Sequence, residues 1–219
     1  MAIYEPIESS EPRRRYRLLS PVDRQPIGEL DCMTESDVAL ALERARKAQA
    51  GWAATPMAER AAIMRRVIDL LLESPERVTD VVIRETGKTA NEAFSMEIYS
   101  SCDALNYYAK NAAKLLKPEK RRIHGILGIA KQLRVVYKPL GVVGIIVPWN
   151  GPFVLSLNPT AQALAAGNAV LLKPSEVTPY SGAMVAEIFA EAGLPEGVLQ
   201  VLHGDGETGA AITEAGVDK

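Results

Sequence analysis

The sequence predicts an α/β protein with a helical N-terminal region followed by a doubly wound parallel sheet that is incomplete at the C-terminus. Helical periodicity with capping residues dominates as far as residue 115. After Pro139, short apolar stretches alternate with helical stretches in a βαβαβα order, which is typical of such a sheet. The apolar stretches are continuous and rich in β-branched residues, as in strands that are buried on both faces.

Four helices are predicted in the N-terminal region. Thr34 and Asp37 form a capping pattern ahead of the first helix, and Thr55 followed by Pro56 is expected to cap and open the second. Gly87 can close the third helix in a left-handed conformation. The four predicted ranges are 34–51, 55–72, 74–87 and 90–115.

A β arm is predicted over residues 120–138. This segment reads KRRIHGILGIAKQLRVVYK, in which two β-prone stretches are separated by glycines and polar residues, as in an extended hairpin. Pro139 is the predicted boundary between two domains. The first, 1–138, is the helical region with its arm, and the second, 139–219, is the sheet region.

Three strands and three helices alternate in the sheet region, which is predicted to be Rossmann-like. The strands are predicted at 141–147, 169–173 and 198–202. The helix after the first strand should end at Ala166, because Gly167 and Asn168 follow it. The two later helices are predicted at 179–192 and 207–215.

Composition excludes several classes of protein. The chain of 219 residues is 47% hydrophobic and 24% charged, as in an ordinary soluble globular protein. Its 25 basic and 27 acidic residues give a net charge of −2, so no nucleic-acid partner is expected. Cys32 and Cys102 lack metal-binding or disulfide spacing, which predicts no metal and a reducing, cytoplasmic location. No apolar stretch approaches the roughly 18 residues of a membrane span, so no membrane partner is expected.

The candidate binding residues follow the predicted strands, because ligands of an open parallel sheet bind beyond the carboxyl ends of its strands. Polar and aromatic side chains recur at these ends. The three segments are Pro148-Trp149-Asn150, Lys173-Pro174-Ser175-Glu176 and His203-Gly204-Asp205-Gly206.

Several long motifs occur together in one order along the chain. They read LSPVDRQPIGEL, ETGKTANEA, PLGVVGIIVPWNGPF, ALAAGNAVLLKPSEVTP and AEAGLPEGVLQVLHGDGETGAAI. With these motifs the chain resembles the NAD(P)-dependent aldehyde dehydrogenase superfamily from about residue 18 to residue 219. The resemblance implies that 139–219 is the first part of an NAD(P)-binding domain and that the arm at 120–138 joins subunits of a homo-oligomer.

The resemblance also implies roles for residues at the strand ends. Asn150 matches an amide that forms half of an oxyanion hole, although a loop asparagine that satisfies local backbone is the plain structural alternative. Lys173 and Glu176 match residues that bind the adenosine ribose, although the segment KPSE is also an ordinary helix-starting turn. A carboxylate repels a 2′-phosphate, so Glu176 favours NAD, with NADP possible because Lys173 is close. The predicted cofactor-binding residues are Val147, Pro148, Trp149, Lys173, Ser175, Glu176, Gly206 and Gly209.

The segment GDGETG satisfies the dinucleotide-binding pattern G-x-G-x-x-G only formally. The acidic residue that should follow about 20 positions later is absent from the chain. The resemblance assigns Gly206 and Gly209 instead to the adenine side of the cofactor.

Neither cysteine resembles the nucleophile motif of the family, and no segment matches its general-base glutamate. The expected function is therefore the N-terminal part of an enzyme that oxidises an aldehyde to a carboxylic acid through a cysteine thioester, with the isolated chain inactive. The alternative is a short non-catalytic protein that binds a nucleotide or a partner subunit. Semialdehyde and aromatic aldehyde dehydrogenases share these motifs, so the sequence does not name the aldehyde.

Overall fold

Three small sheets and the helices packed on them make up the part of the chain that the computed structural model describes, Tyr4–Ile7 and 13–219. The strands are β1 (Tyr4–Ile7), β2 (Arg15–Leu19), β3 (Pro26–Asp31), β4 (Glu119–Arg121), β5 (Leu133–Val135), β6 (Val142–Ile146), β7 (Ala169–Lys173) and β8 (Leu199–Val201). The helices are α1 (Glu35–Ala54), α2 (Met57–Glu73), α3 (Glu76–Thr86), α4 (Ala90–Glu92), α5 (Ser100–Leu115), α6 (Leu127–Ala130), α7 (Pro152–Ala165), α8 (Pro179–Glu191) and α9 (Gly206–Glu214). A π-helical segment, Ala93–Tyr99, joins α4 to α5.

The first sheet, β1-β2-β3, is antiparallel and was not predicted from the sequence. Its strands are short and carry charges, so their period is not apparent in the sequence. Arg15 lies opposite Asp31 and forms ion pairs with Asp31 and Glu29 across the sheet. Leu18 and Leu30 are buried and fix the sheet to the rest of the molecule.

Two of the predicted capping signals are confirmed, whereas α1 continues to Ala54, beyond its predicted end at residue 51. Thr34 and Asp37 form a reciprocal capping box at the start of α1, and Gly87 closes α3 with a φ of 72°. The predicted cap of α2 is wrong by one residue. Pro56 occupies the N-cap position, while the Thr55 hydroxyl donates backwards to the Gly51 carbonyl at 3.1 Å.

The predicted helix over 90–115 is helical throughout but not uniformly α-helical. The π-helical segment Ala93–Tyr99 adds a wider turn, a feature that often occurs at functional sites. Glu97 and Ile98, in this segment, are completely buried.

The predicted arm is a hairpin. Strands β4 and β5 pair in antiparallel fashion, with Glu119 opposite Val135. The short helix α6 lies between them and was not predicted.

The third sheet, after Pro139, is parallel and has the strand order β6-β7-β8, as predicted. Helices cover both of its faces, which makes it doubly wound. On one face Leu171 packs in a cluster with Val38 of α1 and Ile212 of α9. On the other, Leu172 packs in a cluster with Phe153 of α7 and residues of α8.

Strand β7 is buried along its whole length, as expected of the central strand of a covered sheet. The prediction that β6 is buried on both faces is only partly right, because Ile146 is 48% exposed at its carboxyl end. Residues 218 and 219 lie along the other edge of β6, where the Asp218 N–H donates to the Val142 carbonyl and the Gly144 N–H to the Lys219 carbonyl, each at 2.9 Å. The chain therefore crosses from β8 to the far side of β6, which makes the carboxyl end of β6 a topological switch point.

The helical and sheet regions share one hydrophobic core. Met64 of α2 and Leu105 of α5 belong to the same cluster of buried residues as Phe153 and Leu172. The division at Pro139 stays a prediction. Among the described residues, no helix combines the length and apolarity that crossing a membrane requires.

Candidate cofactor and oxyanion site

A groove of about 370 Å³ lies where the carboxyl ends of β6 and β7 meet the first turns of α9. This is the switch point of the sheet, where ligands of such folds bind. The groove is lined by Ile146, Val147, Lys173, Glu176, Gly206, Gly209, Ala210 and Thr213. A larger hollow of about 560 Å³ lies within the hairpin arm, and its described lining includes none of the predicted cofactor-binding residues.

Lys173 joins two strand ends beneath the groove. Its side chain is almost fully buried, and its ammonium donates to the carbonyl oxygens of Pro174 at 2.9 Å and Gly204 at 2.7 Å. Burial lowers the pKa of Lys173, while the carboxylate of Glu176, 3.6 Å away, opposes this change. The lysine therefore aligns the ends of β7 and β8 and orients Glu176.

Among the described residues that line this groove, Glu176 alone carries a carboxylate. Its side chain is 25% exposed, so it is partly held by Lys173 and partly open to a ligand. A carboxylate in this position can accept hydrogen bonds from a pair of ribose hydroxyls.

The two predicted glycines lie in the first turns of α9. A Cβ atom added to Gly206 would meet no atom within 4 Å, so packing does not require glycine there. A Cβ atom added to Gly209 would contact the Lys173 side chain at 3.4 Å. Gly206 therefore borders open space in the groove.

Asp205 is held by the protein itself. Its carboxylate accepts from the Glu207 N–H at 3.0 Å, as the N-cap of α9, and from the Tyr16 hydroxyl at 2.7 Å, and it pairs with Arg14 at 3.2 Å. Burial opposes its ionisation, but these hydrogen bonds and Arg14 lower the pKa of Asp205 overall. The hydrogen bond to Asp205 and burial raise the pKa of Tyr16. The carboxylate of Asp205 thus already occupies the N-terminus of α9, which disfavours binding of a pyrophosphate there.

Buried glutamates from the N-terminal helices occupy the starts of α7 and α8. Glu97 accepts from the backbone N–H groups of Phe153 at 3.1 Å and Val154 at 2.8 Å. Glu85 accepts from the backbone N–H groups of Tyr180 at 2.8 Å and Ser181 at 2.7 Å. Helix N-termini attract anions, and here both positions are filled by carboxylates of the same chain.

Asn150 is exposed in the loop between β6 and α7. Its main-chain carbonyl accepts from the Lys88 ammonium at 2.9 Å, and the same ammonium pairs with Glu97. This contact fixes the backbone of Asn150 and leaves its side-chain amide at the surface.

The structure brings five of the predicted cofactor-binding residues together in the lining of the groove. These are Val147, Lys173, Glu176, Gly206 and Gly209. Pro148 and Trp149 are exposed in the loop that leads to Asn150 and do not line the groove. Ser175 is buried and accepts from the Val177 N–H at 3.2 Å, which is the turn-forming role that its sequence context also allowed.

The two cysteines are poorly suited to nucleophilic attack. Cys32 is buried, and burial raises the pKa of its thiol. Burial also raises the pKa of Cys102 to about 11. A nucleophilic cysteine needs a lowered pKa, so neither fits that role. Within the described ranges, no cluster of three or more metal-binding side chains occurs.

The model of the "Aldehyde dehydrogenase family" matches residues 7–219. The chain belongs to the aldehyde dehydrogenase family. Among curated relatives, a "Putative succinate-semialdehyde dehydrogenase [NADP(+)]" of Mycolicibacterium smegmatis is 46% identical over 183 residues, which are 83% of this chain and 35% of the relative. This aldehyde dehydrogenase chain thus spans about a third of the length of such relatives.

Solved structures of other aldehyde dehydrogenases share this fold. An NAD-dependent benzaldehyde dehydrogenase from Corynebacterium glutamicum superposes with a TM-score of 0.84 at 37% identity, covering 94% of this chain and 44% of that one. An aldehyde dehydrogenase of Mycobacterium tuberculosis complexed with NAD+ has the same TM-score and identity, covering 94% of this chain and 42% of that one.

Sequence reasoning missed the residues that support the site of this aldehyde dehydrogenase. Lys88 and Glu85 lie in the quoted motif ETGKTANEA, but nothing in the motif indicated which helix ends they would reach. Glu97 resembles an ordinary helical surface residue in the sequence. Tyr16 contacts Asp205 across a separation of 189 residues, which no local pattern reveals.

Proposed function

We propose that this chain forms the adenosine side of the NAD(P) site and one oxyanion donor of an aldehyde dehydrogenase. In the whole protein, the enzyme oxidises an aldehyde to a carboxylic acid through a cysteine thioester. The observation that carries the proposal is the groove at the switch point, where Glu176, Lys173 and Gly206 converge. The cofactor, when bound, accepts a hydride from the adduct of the aldehyde.

The residues of the groove fit the adenosine half of a dinucleotide. Glu176 provides acceptors for ribose hydroxyls, and Gly206 leaves open space beside them. Since α7, α8 and α9 begin at carboxylates, the pyrophosphate requires a different helix N-terminus. Both NAD and NADP remain proposals for this chain, because one relative carries NADP(+) in its name and another is complexed with NAD+.

Asn150 is proposed as the oxyanion donor. Its exposed amide NH₂ can donate to the oxygen that becomes negative when a thiolate adds to the aldehyde carbonyl. The Lys88 ammonium donates to the main-chain carbonyl of Asn150, and this contact fixes the backbone that carries the proposed amide donor. The nucleophile and the general base are proposed to come from the remainder of the whole protein, because neither Cys32 nor Cys102 fits the first role.

A homo-oligomer in the cytoplasm is the proposed state of the whole protein. The hairpin arm exposes Ile126 and Ile129, which are 82% and 88% exposed, and such apolar side chains favour burial against another subunit. An aldehyde is the proposed substrate, with semialdehydes and aromatic aldehydes both represented among the similar proteins.

The cofactor site is tested on the chain itself by titrating NAD+ and NADP+ and following backbone amide shifts by NMR. We expect the shifts to cluster at Gly206, Gly209 and Glu176. Glu176→Ser should raise the affinity for NADP+ relative to NAD+, because it removes a negative charge from the ribose site. Glu73→Ser, on an exposed residue of α2, is the matched control. Shifts confined to other surfaces, or an unchanged affinity ratio, would contradict the assignment.

The reaction is tested in the whole protein with Asn150→Ala. Loss of one oxyanion donor should lower the rate of acylation by roughly 10²-fold or more and leave NAD affinity nearly unchanged. Stopped-flow measurement of the first turnover, with cofactor binding measured separately, distinguishes the two effects. An equal loss of cofactor binding would indicate a structural role for Asn150.

A further inference from the structure

Asn150 stands in a sequence context that is chemically unstable. The chain contains asparagine at 91, 106, 111, 150, 158 and 168, and only Asn150 is followed by glycine. In an Asn-Gly pair, the glycine nitrogen can reach the side-chain amide carbon because no Cβ atom obstructs the approach. The same residue is the proposed oxyanion donor.

The local geometry leaves the reacting groups available. Asn150 is exposed, and none of the hydrogen bonds in the described part of the chain uses the Gly151 N–H as donor. Gly151 is the N-cap of α7, so its carbonyl accepts from the Leu155 N–H at 2.8 Å, while its own N–H precedes the helical hydrogen-bond ladder. The peptide nitrogen that would attack is therefore not held by another acceptor.

Lys88 favours the deprotonation that the attack requires. When the Gly151 nitrogen loses its proton, the negative charge spreads onto the carbonyl oxygen of Asn150. That oxygen accepts from the Lys88 ammonium at 2.9 Å. A cation at this distance stabilises the developing charge, while the exposure of Asn150 leaves solvent base within reach of the Gly151 nitrogen.

We propose that Asn150 is a self-modification site, which deamidates through a succinimide promoted by Lys88. The Gly151 nitrogen gives its proton to solvent base and forms a bond to Cγ of Asn150. The bond from Cγ to Nδ2 breaks, and the amide nitrogen leaves as ammonia. Water then adds to either carbonyl of the ring and opens it to aspartate or isoaspartate, so no oxidant or further reactant is needed.

The consequence for activity rests on the proposed function. Aspartate at position 150 cannot donate from an NH₂ group, and its charge repels the developing oxyanion. Isoaspartate also adds one atom, Cβ, to the main chain and leaves its carboxylate attached to Cα. Either product converts an active site into an inactive one without cleavage of the chain.

The chemistry is tested on the 219-residue chain by incubation in mildly alkaline buffer, followed by peptide mapping with mass spectrometry. We expect aspartate and isoaspartate to accumulate at Asn150 while the exposed Asn91 and Asn106 remain intact in the same digest. Gly151→Ala should lower the rate at Asn150 to that of these internal controls. The φ at this position is negative, and the added Cβ would meet the side chains of Val154 and Leu155 at 3.2 Å, which requires them to shift by a few tenths of an ångström; circular dichroism verifies that the variant is folded.

Lys88→Gln tests the promotion. We expect the rate at Asn150 to fall about tenfold, which corresponds to roughly 1.4 kcal/mol of lost stabilisation. Circular dichroism verifies that the variant is folded. Modification of Asn150 no faster than of Asn106, or an unchanged rate in Gly151→Ala, would overturn the proposal, and an unchanged rate in folded Lys88→Gln would overturn the role of Lys88.

The whole protein separates this proposal from the proposed function. If both hold, turnover falls in proportion to the fraction modified at Asn150, and Gly151→Ala slows the decline. Modification without loss of turnover would overturn the oxyanion role and leave the modification itself established. Absence of modification in the chain would overturn this proposal and leave the oxyanion role intact.

Discussion

Removal of the charge on Glu97 should destabilise the chain far more than its place in the sequence implies. The carboxylate is completely buried, accepts from the backbone of Phe153 and Val154, and pairs with Lys88, whose side chain is only 15% exposed. Loss of one partner from a buried ion pair costs about 3–5 kcal/mol, because the other charge is left without compensation. Since Lys88 retains some exposure and a bond to the Asn150 carbonyl, we expect Glu97→Gln to lower the free energy of unfolding by about 3 kcal/mol.

The assay is urea denaturation followed by the fluorescence of Trp52, which is buried in the same core as Phe153. A double-mutant cycle with Lys88→Met isolates the pair, and the double variant should lose clearly less stability than the sum of the single variants. Glu73→Gln, on the exposed surface of α2, is the control. A loss below about 1 kcal/mol, or strict additivity, would refute the argument that this pair holds the start of α7.

Two further changes separate binding from folding and reveal the cost of a buried carboxylate. Gly206→Ala should change the free energy of unfolding by less than about 1 kcal/mol, because the added methyl group enters open space. Under the proposed function, the same methyl group should weaken NAD binding. Denaturation and NAD titration of the same variant check both effects, and lost stability with intact binding would contradict the prediction. Burial raises the pKa of Glu85 above its ordinary value of 4.5, so its contribution to stability is fully present below about that pH and is lost as the pH rises through the raised value. Denaturation midpoints from acidic to neutral pH should therefore fall less in Glu85→Gln than in the unmodified chain, and parallel curves would exclude the effect.

Local signals predicted much of the fold because they act over a few residues. Thr34 with Asp37 begins α1, Gly87 ends α3, and the apolar segment Ala169–Lys173 forms the central strand. These features depend on neighbours in the sequence or on a simple periodicity. The order of the parallel strands then follows from the alternation of strands and helices.

The supporting residues of the site depend on tertiary structure and could not be predicted in the same way. Glu85 and Glu97 have the spacing of helical surface charges, yet both are buried because the starts of α7 and α8 lie against them. The sheet β1-β2-β3 was missed because its strands are short and charged. For the groove, the motif residues indicated Lys173, Glu176 and Gly206, but only the structure shows that the Lys173 ammonium donates to the carbonyls of Pro174 and Gly204.

The bond between Tyr16 and Asp205 has a consequence for synthesis of the protein. These residues are separated by 189 positions, so strand β2 cannot dock against the start of α9 until nearly all of the 219 residues have left the ribosome. At about 5–20 residues per second, the wait is on the order of 10–40 s. Strand β2 is thus among the first segments made, yet its contact with the start of α9 forms only after a long stretch of further synthesis.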